Sequence, residues 1–348
     1  MNSTWHTFLR DRHAIFDNDR ILHFGNITAE RKSVQDEVII TDLSSLGLIR
    51  FSGDEAEDFL QKQLTCDVRE VDTKMAQCGG YCSAKGRVYS TFTLWQQDDS
   101  YIMQLPASLV TSIQKRLSMY VLRAKVQLTN VSDDWVQIGL AGVTAAAMVE
   151  KISNKPFVYE KSLQIIVCDN IRILCLSPHR FVLISPLEKA LELWRCLSEH
   201  AAEVGTNYWE WLTIQDGIPV ILPETQELFI PQMINLDALC GVSFKKGCYP
   251  GQEIVARTHY LGQLKRRMML AHIDTAESVK PGDLLYSEDM TDQSSGMIVN
   301  AVSAPQGGVD VLAVIQQSSI ENYDIHLHSL AGAILVMKPL PYVFHSTV

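Results

Sequence analysis

The residues with the most evident chemical potential surround Cys248. The segment 246–253 reads Lys-Gly-Cys-Tyr-Pro-Gly-Gln-Glu. Gly247 and Gly251 flank the cysteine, and Pro250 cannot join regular strand pairing, so the segment is predicted to form a tight turn that exposes the thiol. Free cysteines are commonly small buried apolar residues, and burial is the alternative. The context favours an exposed, reactive thiol.

A helix is predicted directly after this turn. Side chains recur there at helical spacing, at Ile254, Val255, Thr258 and Leu261. The helix N-terminus would lie a few residues beyond Cys248, and the ammonium groups of Lys245 and Lys246 would lie beside the thiol. Because helix dipoles and nearby cations both favour a thiolate, we expect a lowered pKa for Cys248, with Lys246 as its electrostatic activator.

The same segment concentrates positive charge. Residues 245–267 carry six lysines and arginines but only one acid, Glu253, for a net charge of +5, while the whole chain has a net charge of −10 and the rest therefore −15. The overall charge excludes a protein that binds nucleic acid over its whole surface. The basic segment predicts an anionic ligand, whether a polycarboxylate, a phosphate or a short piece of RNA. A merely solvated basic face is the alternative.

The remaining cysteines and histidines do not predict a metal site. Cys78 and Cys82 share a strand face, as do His326 and His328, but neither pair has further ligands at a metal-binding spacing. We therefore expect no permanently bound metal. The eight cysteines are scattered without the framework spacing of secreted domains, so they are expected to be mostly reduced.

Length and composition describe a globular protein. The chain has 348 residues, of which 47% are hydrophobic and 20% charged, and this length predicts two or three domains. The first 20 residues carry charges every few positions and no apolar core, so neither a signal peptide nor a membrane anchor is expected. No stretch is apolar over the eighteen residues that a membrane helix needs. We predict a cytoplasmic protein without a membrane partner.

The hydrophobic pattern predicts an α+β fold. Two short strands are expected around the turn at 42–47, a strand pair within 78–104, and a helix over 106–120. Strands and helices then alternate to about residue 202 without the regular order of a doubly wound sheet, and no Gly-x-Gly-x-x-Gly or P-loop motif occurs. After residue 265 the helix signals vanish, and short strands between Gly-rich turns predict a small antiparallel barrel.

The octapeptide 246–253 matches the K-G-C-Y-x-G-Q-E signature of the YgfZ family, which are folate-binding proteins linked to tRNA modification and related to the glycine-cleavage T-protein and to iron–sulfur assembly factors. The chain resembles this family over nearly its whole length. Further matching runs are Leu64-Thr65 to Asp67-Val68, Cys82 to Lys85-Gly86-Arg87, Gly217-Ile218-Pro219, Phe229-Ile230-Pro231-Gln232 with Asn235-Leu236 and Ala238-Leu239, and Pro339-Leu340-Pro341-Tyr342.

The resemblance implies a three-domain ring like that of the T-protein, with tetrahydrofolate or a one-carbon derivative in the central cleft. It places the folate-binding α+β domain, which carries the Cys248 loop, in residues 1–125 with 205–262. The second α+β domain would be 126–204, and the β-barrel 263–348. Both this arrangement and the periodicity give a mixed body followed by a barrel.

The resemblance also implies site residues. Cys248 and Lys246 would be the reactive pair, and Trp209 stands where the family has a folate-contacting tryptophan, although from the residues alone Trp209 and Trp211 are better explained as helix core. Further folate-binding residues are expected at Leu46, Tyr249, Gln252, Glu253 and Arg257. The implied function is an accessory factor for iron–sulfur enzymes, including radical tRNA methylthiolases, in which the cysteine handles sulfur or a cluster or protects the client's cluster.

Two departures keep other functions open. Leu46 stands where a second family tryptophan is expected, and it offers apolar contact without stacking. The aminomethyltransferase relatives carry an aspartate after a glycine turn, but the corresponding stretch 86–90 has no carboxylate, although Asp42 or Asp67 could lie nearby. The alternatives are therefore a folate-dependent aminomethyltransferase, and a folate-binding protein that contacts tRNA directly through the basic run 265–267.

Overall fold

A computed structural model describes residues 1–260, 262, 264–290 and 293–344. The N-terminal segment contributes two helices, a hairpin and a strand. The Asn2 side chain caps the first helix by accepting from the backbone N–H groups of Thr4 and Trp5, and this helix buries Trp5 and Leu9. In chain order the elements are α1 (Ser3–Asp11), β1 (Ile15–Asp17), β2 (Arg20–His23), α2 (Ile27–Asp36) and β3 (Ile39–Asp42).

The next segment forms the first sheet and the two helices that cover it. Its elements are β4 (Leu46–Ser52), α3 (Ala56–Gln61), β5 (Gln77–Cys82), β6 (Val88–Gln97), β7 (Ser100–Pro106), α4 (Ala107–Ser118) and β8 (Gln127–Asn130). The strands are antiparallel in the order β5-β6-β7-β4-β8. Helix α4 lies where the periodicity predicts a helix, because its apolar stripe packs on the sheet.

The second sheet follows, with two covering helices. Its further elements are β9 (Val136–Ala141), α5 (Ala145–Ser153), β10 (Gln164–Cys168), β11 (Ile171–Ser177), β12 (Arg180–Ser185), α6 (Leu187–Ser198) and β13 (Ala202–Glu203). The order is β10-β11-β12-β9-β3-β13, and β13 lies parallel to β3. Strands β3 and β4 are thus both formed around the 42–47 turn as predicted, but they enter different sheets.

These two sheets face each other in a four-layer sandwich. Alternate side chains of β4 separate accordingly, since Ile49 and Phe51 pack under α3 and α4 while Leu48 faces the other sheet. On the second sheet, Ile40 packs with α1 and α6, while Ile39 faces inward. The shared inner layer also receives side chains of α7 (Thr206–Gln215).

The C-terminal part forms the third sheet, after α8 (Gln252–Tyr260). Its elements are β14 (Arg266–Ile273), β15 (Leu284–Tyr286), β16 (Gly296–Ser303), β17 (Val309–Gln316), α9 (Gln317–Asn322), β18 (His326–Leu327) and β19 (Leu335–Lys338). The strands are antiparallel in the order β18-β15-β16-β17-β14-β19, and a bridge between His326 and Ile334 brings the two edges together. The predicted α+β class is confirmed, and the predicted small antiparallel barrel is present as a curled antiparallel sheet, a half-barrel.

One detail differs from the predictions, and others add to them or leave them untested. Helix α9 contradicts the expectation that no helix follows residue 265; its sequence Gln-Ser-Ser-Ile-Glu-Asn has no apolar periodicity to reveal it. Leu261, predicted in the helix after Cys248, lies outside the described residues. Among the helices described, none has the length and apolar character to cross a membrane. The proposed domain limits 1–125 with 205–262, 126–204 and 263–348 stay predictions.

Candidate functional site

Cys248 lies on the loop that leads into α8. Both Cys248 and Gly247 are exposed, and α8 begins at Gln252, a few residues further on. Two other cysteines, Cys196 and Cys240, are also exposed. Exposure therefore does not by itself distinguish Cys248, and the loop around it must be considered.

A close backbone contact holds this loop against the turn between β5 and β6. Gly251 has φ +81°, and a Cβ atom there would lie 2.4 Å from the carbonyl oxygen of Ser83 and 2.5 Å from the backbone nitrogen of Gly86. Gly86, at φ +68°, would meet the carbonyl oxygen of Gly251 at 3.2 Å. Two of the runs that carry the family resemblance, 82–87 and 246–253, therefore meet through glycines, because only glycine allows this approach. Gly247 has open space around it.

Lys246 anchors the loop from inside. Its Nζ donates to the carbonyl oxygens of Leu64 at 2.8 Å and Cys66 at 2.7 Å, and the residue is only 9% exposed. Burial lowers the pKa of Lys246 to about 8, partly offset by Cys66 and Asp67. The ammonium group thus has backbone partners, whereas the sequence analysis placed it beside the Cys248 thiol.

Tyr249 points into the protein. It is 6% exposed, its ring centre lies 5.5 Å from Lys246 Nζ, and burial raises the pKa of its hydroxyl. Among the described residues, this hydroxyl has no hydrogen-bond partner. Tyr249 therefore packs under the loop, with one unsatisfied polar atom.

Of the three predicted binding residues on α8, two face solvent. Glu253 and Arg257 are exposed, while Gln252 is half-buried and its backbone N–H donates to the carbonyl of Tyr249 at 3.1 Å. The helix is fastened by Val255, which is completely buried in the cluster shared with the third sheet. The Cys248 loop thus precedes a fixed helix with a polar outer face.

Trp209 and Leu46 are brought together elsewhere, in the layer between the first and second sheets. Trp209 on α7 is 5% exposed, and Leu46 packs half-buried against the same cluster. A Cβ atom at Gly139 of β9 would lie 2.6 Å from the Trp209 ring, so the absence of a side chain at Gly139 makes room for this ring. The structure gives Trp209 the packed position that helix periodicity alone predicts.

Arg180 is a residue that the sequence analysis missed. Its guanidinium carbon lies 4.0 Å from the Trp209 ring centre, and its nitrogens donate to Asp216 at 2.6 Å, to the Trp209 carbonyl at 3.0 Å and to Thr213. The residue is 3% exposed, and burial lowers the pKa of the guanidinium. A planar group thus already stacks on Trp209. The sequence signal that could have revealed Arg180 is its position directly before the apolar run Phe-Val-Leu-Ile in a strand that is buried throughout.

The two aspartates considered as substitutes for the missing carboxylate have structural partners. Asp42 is completely buried; it accepts from Trp5 Nε1 at 2.7 Å and from Ser44, and burial raises its pKa to about 6. Asp67 accepts from the Gln61 side-chain amide at 2.8 Å. The fold's own donors therefore hold both carboxylates.

The two residue pairs considered above as possible metal ligands, Cys78 with Cys82 and His326 with His328, include side chains with other contacts. The Cys78 sulfur donates to the carbonyl of Leu239, Cys82 is buried, and burial raises the pKa of each thiol to about 12. His328 contacts Asp283 at 3.0 Å. No group of three or more His, Cys, Asp or Glu side chains suited to a metal ion occurs in the part of the chain that the structure describes.

Comparisons with known sequences give a consistent result. The model of the GCVT N-terminal domain family matches residues 9–243. The tRNA-modifying protein YgfZ of Vibrio vulnificus is 30% identical over 308 residues, which cover 88% of this chain and 93% of that protein. YgfZ of Colwellia psychrerythraea is 26% identical over 309 residues, which cover 88% of this chain and 94% of the relative.

Among solved structures, the chain is similar to the glycine cleavage system aminomethyltransferase T from Bartonella henselae. The TM-score is 0.76 at 14% sequence identity, over 99% of this chain and 98% of that one. At this identity the likeness concerns the fold, and the predicted T-protein-like architecture is confirmed.

The glycine contact predicts a sharp difference between two substitutions in the loop. Gly251→Ala should lower the free energy of unfolding by roughly 2–3 kcal/mol, because its Cβ meets backbone atoms and its φ disfavours a side chain. Gly247→Ala should change it by less than about 0.5 kcal/mol. Urea denaturation measures both. Equal losses would show that the contact at Gly251 does not hold the loop.

Burial of Lys246 predicts a pH-dependent contribution to stability. The folded lysine loses its proton near pH 8, whereas the unfolded lysine keeps it to about pH 10.4. The unfolded state therefore binds more protons in this window, and the stability of the wild type relative to Lys246→Met should rise by up to about 1.4 kcal/mol per pH unit. Urea denaturation from pH 7 to 10 tests this, with Lys245→Met at the exposed neighbour as control. Parallel curves for wild type and Lys246→Met would contradict it.

Proposed function

The chain belongs to the YgfZ family of tRNA-modifying proteins and carries the GCVT N-terminal domain, and from this premise we propose that it is a folate-binding accessory factor for iron–sulfur enzymes that modify tRNA. Cys248 would be the working residue. Radical tRNA methylthiolases are the proposed clients, and the cytoplasm the proposed compartment.

The observation that carries this proposal is the contrast between Cys248 and its neighbours. The thiol is exposed, while Lys246 and Tyr249 beside it are buried and Gly251 is locked against another turn. A loop fastened on both sides presents its one exposed sulfur in a defined place, which suits transfer to or from a partner protein. Handling sulfur or a cluster, and protecting the client's cluster, both require such an accessible thiol.

Lys246 has a positioning role in this proposal. Its ammonium group fixes the loop to the carbonyls of Leu64 and Cys66, so it determines where the following cysteine lies. Gln252, Glu253 and Arg257 at the start of α8 are proposed to contact the anionic part of a bound folate or the client. Tyr249, which lies beneath the loop, is proposed to contribute to folate binding.

We propose that folate binds between the first and second sheets, against Trp209 and Leu46. A pterin is flat and needs an apolar or aromatic slot. The guanidinium of Arg180 over Trp209 supports this fit, since the ring already accepts a planar partner. A pterin that stacks on this ring face must take the place of Arg180, whose guanidinium would then move toward the folate's carboxylates.

Folate binding is tested by titrating tetrahydrofolate and following tryptophan fluorescence. Trp209→Ala should weaken binding about tenfold, as expected for the loss of one aromatic contact. Trp211→Ala is the control, because Trp211 lies on the same helix but donates to Asp310 of the third sheet. Absence of binding by the wild type would refute the folate proposal, and equal binding by both variants would remove Trp209 from it.

The role of Cys248 is tested by complementation of cells that lack the factor. Cys248→Ala should abolish the recovery of tRNA methylthiolation, measured by mass spectrometry of tRNA nucleosides. Cys196→Ala and Cys240→Ala, which remove the other exposed thiols, should restore it fully. Full recovery with Cys248→Ala would eliminate this residue as the working group while leaving folate binding untouched.

A further inference from the structure

A cavity lies away from Trp209, between the β5–β6 turn, α8 and the third sheet. It has a volume of about 490 Å³ and is bounded by the β5–β6 turn, α8 and strands β14, β16 and β17. This volume falls within the range of about 300–1,000 Å³ that is usual for ligand pockets. Its floor is apolar and its rim is basic; the residues that matter are Phe229, Met297 and Val314 on the floor and Arg87, Lys265 and Arg266 on the rim.

The rim cations have no acidic partners among the residues that the structure describes. The Arg87 guanidinium donates to the carbonyl of Leu228 at 2.5 Å, Arg266 donates to the carbonyl of Ser294 at 2.9 Å, and Lys265 is exposed. No ion pair involving these three cations occurs among the residues described. Carbonyl oxygens orient the two guanidinium groups without neutralising them, so their charge is available to an anion.

The neighbouring Arg267 shows the opposite arrangement. Its guanidinium pairs with Asp237 at 3.0 Å and lies 4.1 Å from the Phe344 ring centre, and its side chain is 14% exposed. Arg267 therefore serves the fold. Of the basic run 265–267, considered above as a nucleic-acid contact, Lys265 and Arg266 line the cavity, and Arg87 joins them from a distant part of the sequence.

Further exposed cations lie on the elements that border the cavity and on the Cys248 loop. The contact between Gly86 and Gly251 places the exposed Lys85 beside the Cys248 loop, which also carries the exposed Lys245. Thr258 lines the cavity, and the exposed Arg257 precedes it on α8. Several exposed cations around one cavity, with Glu253 as the one acid on α8, match a polyanion better than a single small anion, and the −15 charge of the chain outside 245–267 would keep a polyanion on this face.

We infer that this face binds a single-stranded polynucleotide. One base enters the cavity over Phe229 and Met297, its phosphates lie on Arg87, Lys265 and Arg266, and the strand continues along Arg257 and Lys85 toward Cys248. An apolar seat for a base combined with a basic track for the backbone is the general arrangement for sequence-tolerant binding of single strands. The inference does not depend on folate binding, because Trp209 lies in a different layer.

The test measures binding of a fluorescent single-stranded 12-nucleotide RNA as a function of salt, with DNA of the same sequence, inorganic polyphosphate and phosphate as comparison ligands. The triple variant Arg87→Gln, Lys265→Gln, Arg266→Gln should reduce the steepness of the negative slope of log affinity against log salt by about 2 and weaken binding roughly 100-fold at 0.1 M salt. The matched control is Lys151→Gln, Lys155→Gln, Lys161→Gln, which removes the same charge from exposed positions elsewhere. The control should bind within twofold of the wild type.

A cavity-filling variant tests separately whether a base binds in the cavity over Phe229 and Met297. Met297→Trp should weaken binding of the 12-nucleotide strand at least fivefold without changing the salt slope, and should leave polyphosphate binding unaffected. Thermal unfolding and tetrahydrofolate titration of every variant confirm that the fold and the first site are intact.

Three results would overturn the inference. The first is an oligonucleotide affinity no greater than the affinity for phosphate, and the second is an equal loss of binding in the triple variant and its charge-matched control. The third is competition by tetrahydrofolate polyglutamate that depends on Arg87 and Lys265, which would make the cavity a folate site. A preference for RNA over DNA would identify the kind of strand, and equal binding would show that the phosphate track alone is recognised.

Discussion

Helix α7 is held by groups from all three sheets, and the relative positions of the sheets depend on these contacts. On one side, Trp209 packs between the first and second sheets. On the other, Trp211 and Gln215 donate at 2.8 and 2.9 Å to Asp310, a completely buried carboxylate at the start of β17. A buried carboxylate is costly unless its oxygens are satisfied, so these donors, with Lys338 at 2.8 Å, leave α7 little freedom. Burial opposes ionisation of Asp310, but the hydrogen bonds outweigh it and lower the pKa.

The Cys248 region follows from the same arrangement. The chain leaves α7, passes along the β5–β6 turn and enters α8, whose Val255 is buried against the third sheet. Lys246 and Tyr249 fasten the loop from below, and Gly251 fastens it sideways. Within the eight residues 246–253, the anchoring positions 246, 249 and 251 lie on both sides of the exposed cysteine, which therefore has rigid support although it is on a loop.

The two candidate sites differ in character. The layer around Trp209 is closed by Arg180, which is buried, stacks on the ring and pairs with the partly exposed Asp216. The cavity by α8 is open and is lined by Arg87, Lys265 and Arg266, which contact backbone carbonyls or solvent among the residues described. A protein with an overall charge of −10 can therefore present a local basic face without attracting anions elsewhere.

The sequence by itself determined where several helices and strands form and that the Cys248 thiol is exposed. Residue periodicity predicted α4, α8 and the C-terminal sheet, and Pro250 with the flanking glycines predicted a turn that exposes Cys248, because these signals are local. Only the tertiary structure decided which elements meet. It separated β3 and β4 into two sheets, gave Lys246 to the carbonyls of Leu64 and Cys66, and removed Arg267 from the basic face. Such partners lie far apart in the chain, and whether a charge is buried, paired or free depends on the packing that brings them together.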